Sequence, residues 1–254
     1  MLAIERRNEI LEKLQAERRV VVSELSQIYD VSEETIRRDL EKLVNDGFAI
    51  KSYGGAVINE NINIDLPFNV RKNHNVIGKQ KIAGLVASRI KDGESIMIDA
   101  SSTAVYVAKE LKTKKNLTLI TNSIEIIVEL FDVPDWSVLS TGGLSREGSF
   151  ALVGPQTDSM LRSYHVDKAI ISCKGIDPKF GITDSDELLA TNKKTMLEAA
   201  KEKILVVDSS KFDKIAFTTV GMLKEITCVV TDQKPAAKWL QVFKETGIEC
   251  IYPK

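Results

Sequence analysis

The sequence predicts an N-terminal winged helix-turn-helix joined to a larger α/β domain, and three observations carry that prediction. Residues 2–57 hold three segments of helical period followed by a hairpin-like stretch with a glycine pair at its turn. From Gly78 onward, short apolar runs of strand character alternate with helical ones. The length, 254 residues, suffices for one small and one medium domain, each with its own core.

In the first helix, residues 2–16, Ile10, Leu11 and Leu14 fall on one side and charges occupy the rest. The break Ala16-Glu17-Arg18-Arg19 leads into the apolar run Val20-Val21-Val22, and Ser23 is placed to cap a short second helix carrying Leu25 and Ile28. After Tyr29-Asp30-Val31, Ser32 caps a third helix with Glu33 and Glu34 in its first turn, where the helix dipole favours anions. That helix runs to about Asn45, and Gly47 is a suitable stop.

At roughly 100° per residue, Ile36, Leu40, Leu43 and Val44 face the first two helices, Arg38 points away from them, and Arg37 lies at the boundary. A helix that enters the major groove needs polar side chains near its N-terminus and arginines that bridge to guanine or phosphate. Ser32, Glu34, Thr35, Arg37 and Arg38 are the candidate DNA contacts on a recognition helix spanning 33–46. A solvated charged face on a small helical bundle has the same period, so periodicity alone leaves both readings open. The stretch from Phe48 to Val57 predicts two short strands around Gly54-Gly55, a wing whose Lys51 and Tyr53 reach the phosphate backbone; a plain interdomain hairpin is the alternative.

Net charge does not favour nucleic acid. The chain carries −1, and residues 1–58 hold nine Lys/Arg against eleven Asp/Glu, a balance of −2. A basic domain is the usual electrostatic footprint of DNA binding, so any case for DNA rests on where the basic residues lie.

Residues 1–57 form the expected DNA-binding unit, the Asn-rich stretch 58–75 reads as a linker that enters a helix near Val70, and 76–254 form the larger domain. Its strand-like runs are 95–99, 117–121, 137–140, 168–172, 204–208 and 228–231. Its helix-like segments include 104–111, 124–131, 188–201 and 236–246. Near-continuous apolar strands alternating with helices indicate a mainly parallel, buried sheet.

The residues just past each strand carry the chemistry. Ligands of open α/β sheets bind at the C-terminal strand ends, where loops lead into helix N-termini. Those positions read Asp99-Ala100-Ser101-Ser102-Thr103, Thr121-Asn122-Ser123, Thr141-Gly142-Gly143, Lys174-Gly175 and Asp208-Ser209-Ser210-Lys211. Small hydroxyls and glycines let backbone amides approach an anion, and Lys174 and Lys211 add positive charge. Any one such cluster is also what helix capping alone produces; five at one sheet edge are harder to dismiss and point to an anion. No GxGxxG turn and no GxxxxGK[ST] loop occurs, which argues against a nucleotide.

The three cysteines, Cys173, Cys228 and Cys250, are isolated in apolar surroundings and read as small buried hydrophobes. With two histidines, His74 and His165, and no CxxC pair, neither a metal nor another cofactor is expected. The N-terminus turns charged at once, no apolar run approaches the ~20 residues that cross a bilayer, and a cytoplasmic location with no membrane partner is expected.

Arg6, Ile10, Leu14 and the run Ser32-Glu33-Glu34-Thr35-Ile36-Arg37-Arg38-Asp39-Leu40 resemble the signature of DeoR-type bacterial regulators of sugar metabolism, and Gly54-Gly55-Ala56 agrees with the wing of that family. The clusters at 99–103, 121–123, 141–143 and 208–212 resemble the family's sensor domain, so the resemblance covers nearly the whole chain. Lys51 and Tyr53 stand where many members carry Arg and His, and Gly78 precedes Lys79 where Glu-Lys is common.

The resemblance implies a winged helix joined to a domain similar to ribose-5-phosphate isomerase, a sugar phosphate as effector, operator DNA as partner, repression as the usual role, and a homo-oligomer, dimer or tetramer. Together with the strand-end reading it gives as candidate effector contacts Asp99, Ser101, Ser102, Thr103, Thr121, Asn122, Ser123, Gly142, Gly143, Lys174, Gly175 and Lys211. The rival reading is a phosphosugar isomerase-like enzyme with an accessory helical domain, in which Asp99, Glu187 or Asp208 serves as general base beside Lys211. No paired carboxylate arrangement supports it, and it leaves the N-terminal signature unexplained, so a non-enzymatic regulator is the expectation.

Overall fold

A computed structural model describes residues 2–59 and 67–254, which divide into two compact units, 1–74 and 75–254. In the first, helix α1 (Ala3–Glu17) is followed by strand β1 (Arg19–Val21), α2 (Val22–Tyr29), α3 (Glu33–Asn45), the hairpin β2 (Ala49–Ser52) and β3 (Gly55–Ile58), and α4 (Phe68–Asn73). Ile10, Leu11, Leu14, Leu25, Ile36, Leu40 and Leu43 form its core, as their periodicity requires.

The apolar run at 20–22 is where the chain differs from expectation. Val20 and its neighbours pair antiparallel with β3, so the wing is a three-stranded sheet in the order β1-β3-β2. The strand passes directly into α2, whose N-cap is Val21 with no side-chain cap; Ser23 lies inside the first turn. Gly55 is needed where β1 meets β3, because a Cβ there would come within 1.9 Å of the Val20 carbonyl oxygen.

The stretch read as a linker also holds structure. Residues 60–66 lie outside the described residues, but α4 buries Phe68 and Val70, and Val70 joins the core of the first unit. An amphipathic turn of six residues is too short for its period to stand out in sequence.

The second unit begins with α5 (Val76–Ala87) and continues through β4 (Ser95–Ile98), α6 (Ser102–Glu110), β5 (Thr118–Thr121), α7 (Ile124–Leu130), β6 (Ser137–Ser140), β7 (Leu144–Arg146), β8 (Ala151–Val153), α8 (Pro155–Arg162) and β9 (Val166–Ile171). Then come β10 (Gly175–Asp177), β11 (Gly181–Asp184), α9 (Glu187–Glu198), β12 (Ala200–Val206), β13 (Thr218–Gly221), β14 (Cys228–Val230), α10 (Ala237–Thr246) and β15 (Glu249–Ile251).

Seven strands form one sheet in the order β15-β14-β12-β9-β4-β5-β6, every neighbouring pair parallel. Six of them match the apolar runs of the sequence. Met97, Ile120, Ala169, Ile171, Leu205 and Val229 pack in one core with Trp239 and Phe243 of α10, which explains why these strands read as continuous hydrophobic runs. A three-stranded antiparallel sheet, β10-β11-β13, and the ribbon β7-β8 accompany it.

Because all seven strands are parallel, their C-terminal ends share one edge. The strand order also reverses there. From β4 the chain builds outward through β5 and β6, then returns to place β9 on the other side of β4 and continues through β12 and β14. The crevice outside β4 and β9 is therefore the topological switch point, where open α/β sheets bind ligands.

Candidate functional site

On α3, the Ser32 hydroxyl accepts a hydrogen bond from the Thr35 backbone N–H at 3.3 Å, the expected cap, and lies 3.0 Å from the Thr35 hydroxyl. Glu33 pairs with Arg37 at 2.6 Å and Glu34 with Arg38 at 3.5 Å, each one turn apart. The Arg38 side chain is 77% exposed and leads away from the core. Pairs so exposed contribute about 0–1 kcal/mol, so both arginines can exchange their glutamates for phosphate or a base edge. Lys51 is exposed on β2, and Tyr53 is fully exposed at the wing tip beside Gly54, whose φ of +71° makes the turn.

Asp39, on the same helix, has another role. It is buried and takes Arg6 at 2.6 Å and Arg7 at 3.3 Å, tying α3 to α1. Asp39 thus neutralises Arg6 and Arg7, while α3 and the wing carry Arg37, Arg38, Lys42 and Lys51 at the surface, the first three beside carboxylates one turn away.

At the sheet edge the hydroxyl clusters divide into two kinds. Some hold the framework. The Ser101 hydroxyl caps α6 by accepting from Ala104 N–H, and that of Ser123 caps α7 by accepting from Ile126 N–H. Thr121 donates to the Ile98 carbonyl and accepts from Ser123 N–H. Gly143 lies against the Thr157 hydroxyl and the Val153 carbonyl, where a Cβ would clash at 2.2 and 2.7 Å, and Gly175 lies equally close to the Lys214 carbonyl. Others remain available. Ser102 and Thr103 stand in the first turn of α6 and form no side-chain hydrogen bond among the described residues, and first-turn backbone N–H groups have no partner within their helix. Gly142 and Gly143 are exposed. Lys174 and Lys211 are half-buried at the same edge and already act on carboxylates there, Lys174 on Asp184 and Lys211 on Asp208.

Asp99 sits under this surface. One carboxylate oxygen accepts from Ser101 N–H at 3.1 Å and the other from Ser172 N–H at 3.0 Å, joining the loops after β4 and β9 at the switch point. Lys193 of α9 reaches the same carboxylate at 3.4 Å and also pairs with Asp184. All three are buried. Burial opposes the Lys193 charge, but Asp184 and Asp99 outweigh it and hold this lysine above its ordinary range. Burial likewise pushes Asp184 up, and Lys193 pulls it below the usual carboxylate range. Asp208 is lowered in the same way: burial resists, Lys211 and Ser210 prevail, and buried Lys79 adds to the effect. With its carboxylate fully engaged, Asp99 holds the site together and is not free to act as a general base.

Sequence reasoning missed Lys193, Asp184, Asn192 and Lys79. A signal for Lys193 was present, since it continues the stripe of Leu189, Ala190, Met196 and Leu197, the buried apolar face of α9. The cysteines lie as expected for buried hydrophobes: burial raises Cys173 and Cys228 to about 12, and half-buried Cys250 to about 11. Among the described residues no helix is long and apolar enough to cross a membrane.

Comparison with known proteins places both units. A model described as the DeoR-like helix-turn-helix domain matches residues 6–61, and one described as the DeoR C terminal sensor domain matches residues 74–233. The chain is 42% identical over 232 residues to an uncharacterized HTH-type transcriptional regulator, YulB, of Bacillus subtilis, covering 91% of this chain and 90% of that one. It is 28% identical over 249 residues to the glycerol-3-phosphate regulon repressor of Escherichia coli, covering 98% of each. Among solved structures, ribose 5-phosphate isomerase A of Methanocaldococcus jannaschii is similar at a TM-score of 0.39 and 20% identity over 53% of each chain. That likeness is distant, and the α/β architecture stands on the strand order of the sheet itself.

Proposed function

We propose that this chain, which belongs to the DeoR family of transcriptional regulators, represses a sugar-utilisation operon under the control of a phosphorylated sugar. It is a DNA-binding regulator; the isomerase-like enzyme reading is set aside, since the relatives along its length are regulators. The observation that carries the effector half is the free first turn of α6 at the topological switch point, where Ser102 and Thr103 meet an anion with unpaired groups and the helix dipole. The E. coli relative is named for a regulon of a phosphorylated three-carbon compound, which supports a phosphate ester as ligand.

In this reading Ser102 and Thr103 hold phosphate, Asn122 faces the sugar, Gly142 and Gly143 offer backbone amides, and Lys174 and Lys211 neutralise charge. Ser101, Thr121, Ser123, Gly175 and Asp99 keep the loops in place. Ser32, Glu34, Thr35, Arg37, Arg38, Lys51 and Tyr53 form the operator-facing surface. The protein acts as a homo-oligomer, dimer or tetramer, because helix-turn-helix proteins read paired half-sites about one helical turn, or a multiple, apart.

Arg38→Ala tests the operator half. A duplex selected from random sequences by the wild-type chain serves as probe in fluorescence anisotropy. The variant should bind it about 1–3 kcal/mol more weakly, the loss of one arginine contact to a base edge. Unchanged affinity with an intact fold removes Arg38 from the interface.

A further inference from the structure

We propose that Asn122 reads a hydroxyl of the effector, and that Asp158 and Asn192 hold its amide in the one orientation able to do so. This rests on the reading that the C-terminal strand edge takes a phosphorylated sugar.

Asn122 stands one residue past β5 and is 2% exposed. Its Nδ2 donates one hydrogen to the Leu152 carbonyl at 3.0 Å and the other to Asn192 Oδ1 at 3.2 Å. Asn192 in turn donates from Nδ2 to Asp158 Oδ1 at 2.7 Å. The chain of bonds therefore ends on a backbone carbonyl at one side and a carboxylate at the other, and both are acceptors only.

That fixes its direction. Turning the Asn192 amide over would set its oxygen against the Asp158 carboxylate. Turning Asn122 over would set its oxygen against the Leu152 carbonyl. Neither amide can reverse without facing acceptor to acceptor, so the ambiguity that usually attends asparagine amides is resolved by chemistry. What is left over is Asn122 Oδ1, a buried acceptor with no partner among the described residues. The other such atom is the Thr195 hydroxyl, on the buried side of α9. The Asn122 oxygen is held in place by the bonds of its own amide nitrogen.

A phosphate dianion offers only acceptors, so it cannot complete Asn122. The group that does so carries an O–H or N–H, which on a phosphorylated sugar is a hydroxyl. Recognition at this edge is thus divided. The first turn of α6 takes the phosphate, and Asn122 selects the sugar by a hydroxyl that donates to it. Asn192 and Asp158 are positioning residues one and two bonds behind.

The test uses the full chain and calorimetric titration at pH 8 with inorganic phosphate and with glycerol 3-phosphate, ribose 5-phosphate, fructose 1-phosphate and fructose 6-phosphate, carrying forward the tightest sugar ligand. Asn122→Leu keeps the shape and removes the amide; Asn192→Leu leaves Asn122 in place and frees its orientation, which guards against a fold defect in the first variant. Both should bind inorganic phosphate within about twofold of wild type and the sugar phosphate about fivefold to tenfold more weakly, the effect of one hydrogen bond. Equal weakening of phosphate and sugar overturns the proposal by placing Asn122 on the phosphate. An unchanged sugar affinity also overturns it, leaving an enclosed water as the partner of Oδ1. A wild-type chain that binds none of these ligands overturns the phosphosugar reading itself, and the two failures are thereby distinguished.

Discussion

Lys193→Met should lower the unfolding temperature of the sensor unit by roughly 6–20 °C. The substitution fits the volume and removes the cation between Asp99 and Asp184, leaving two buried carboxylates without their charge partner. Breaking a buried pair from one side costs about 3–5 kcal/mol, and a domain of this size loses roughly 2–4 °C per kcal/mol. The shifts set the pH dependence. Asp184 is depressed on folding, so its contribution is present above the unfolded carboxylate value, about 3.9, and fades as pH falls below it. Lys193 is raised, so its contribution is complete below about 10.4 and fades only at still higher pH. Between these limits the contributions of both Asp184 and Lys193 are present, and the variant should differ most there. Lys201→Met, which removes an ion pair to Asp167 from a side chain 81% exposed, is the control and should shift unfolding by only about 0–1 kcal/mol. Calorimetry showing Lys193→Met within the range of the control would mean that this triad does not hold the site.

Ser102→Glu should abolish sugar-phosphate binding. Ser101 already caps α6, so Ser102 and Thr103 are the side chains left to meet an anion there. A carboxylate at residue 102 occupies the first-turn amides and repels the phosphate, and an acidic group near a helix N-terminus is favoured by the helix dipole; because Ser102 is 7% exposed, the unfolding temperature of the variant is measured alongside. The same carboxylate can imitate the ligand and hold the protein in its bound form. Ser102→Ala separates the two effects, since it removes one hydroxyl worth about 0.5–1.5 kcal/mol and adds no charge. Calorimetric titration of wild type and both variants is the measurement. Wild-type affinity in Ser102→Glu would move the phosphate site away from α6.

Much of this architecture could be read before any coordinates. The six apolar strand runs, the Ser32 cap and the helix face of Ile36, Leu40 and Leu43 obey local periodicity, which a single sequence displays directly. The elements that escaped lack such a signal. Strands β10, β11 and β13 read Gly-Ile-Asp, Gly-Ile-Thr-Asp and Thr-Thr-Val-Gly, short and mixed, and only their mutual pairing makes them a sheet. Helix α8, Pro155–Arg162, holds only Thr157 and Leu161 as buried residues. The site divides along the same line. Which loops meet at the edge is dictated by a parallel sheet, but whether a hydroxyl there is occupied by capping, as in Ser101 and Ser123, or left free, as in Ser102, depends on backbone geometry. Asn192 sits in a polar run of α9 that the sequence shows only as a charged helix, whereas Lys193 continues the apolar stripe of that helix.

A regulator of the proposed kind couples an operator-binding unit to a phosphosugar sensor. Coupling requires a ligand that favours one conformation over another, and its size is the ratio of DNA affinities with and without that ligand. The most direct measurement is the affinity of the full chain for its selected duplex, by anisotropy, in the presence of each phosphosugar and of the matching unphosphorylated sugar. One phosphosugar should change the affinity at least about fivefold, within the usual range of allosteric coupling, and its unphosphorylated counterpart should change nothing. Equal responses to both, or none to any phosphorylated sugar that the sensor binds, would contradict it.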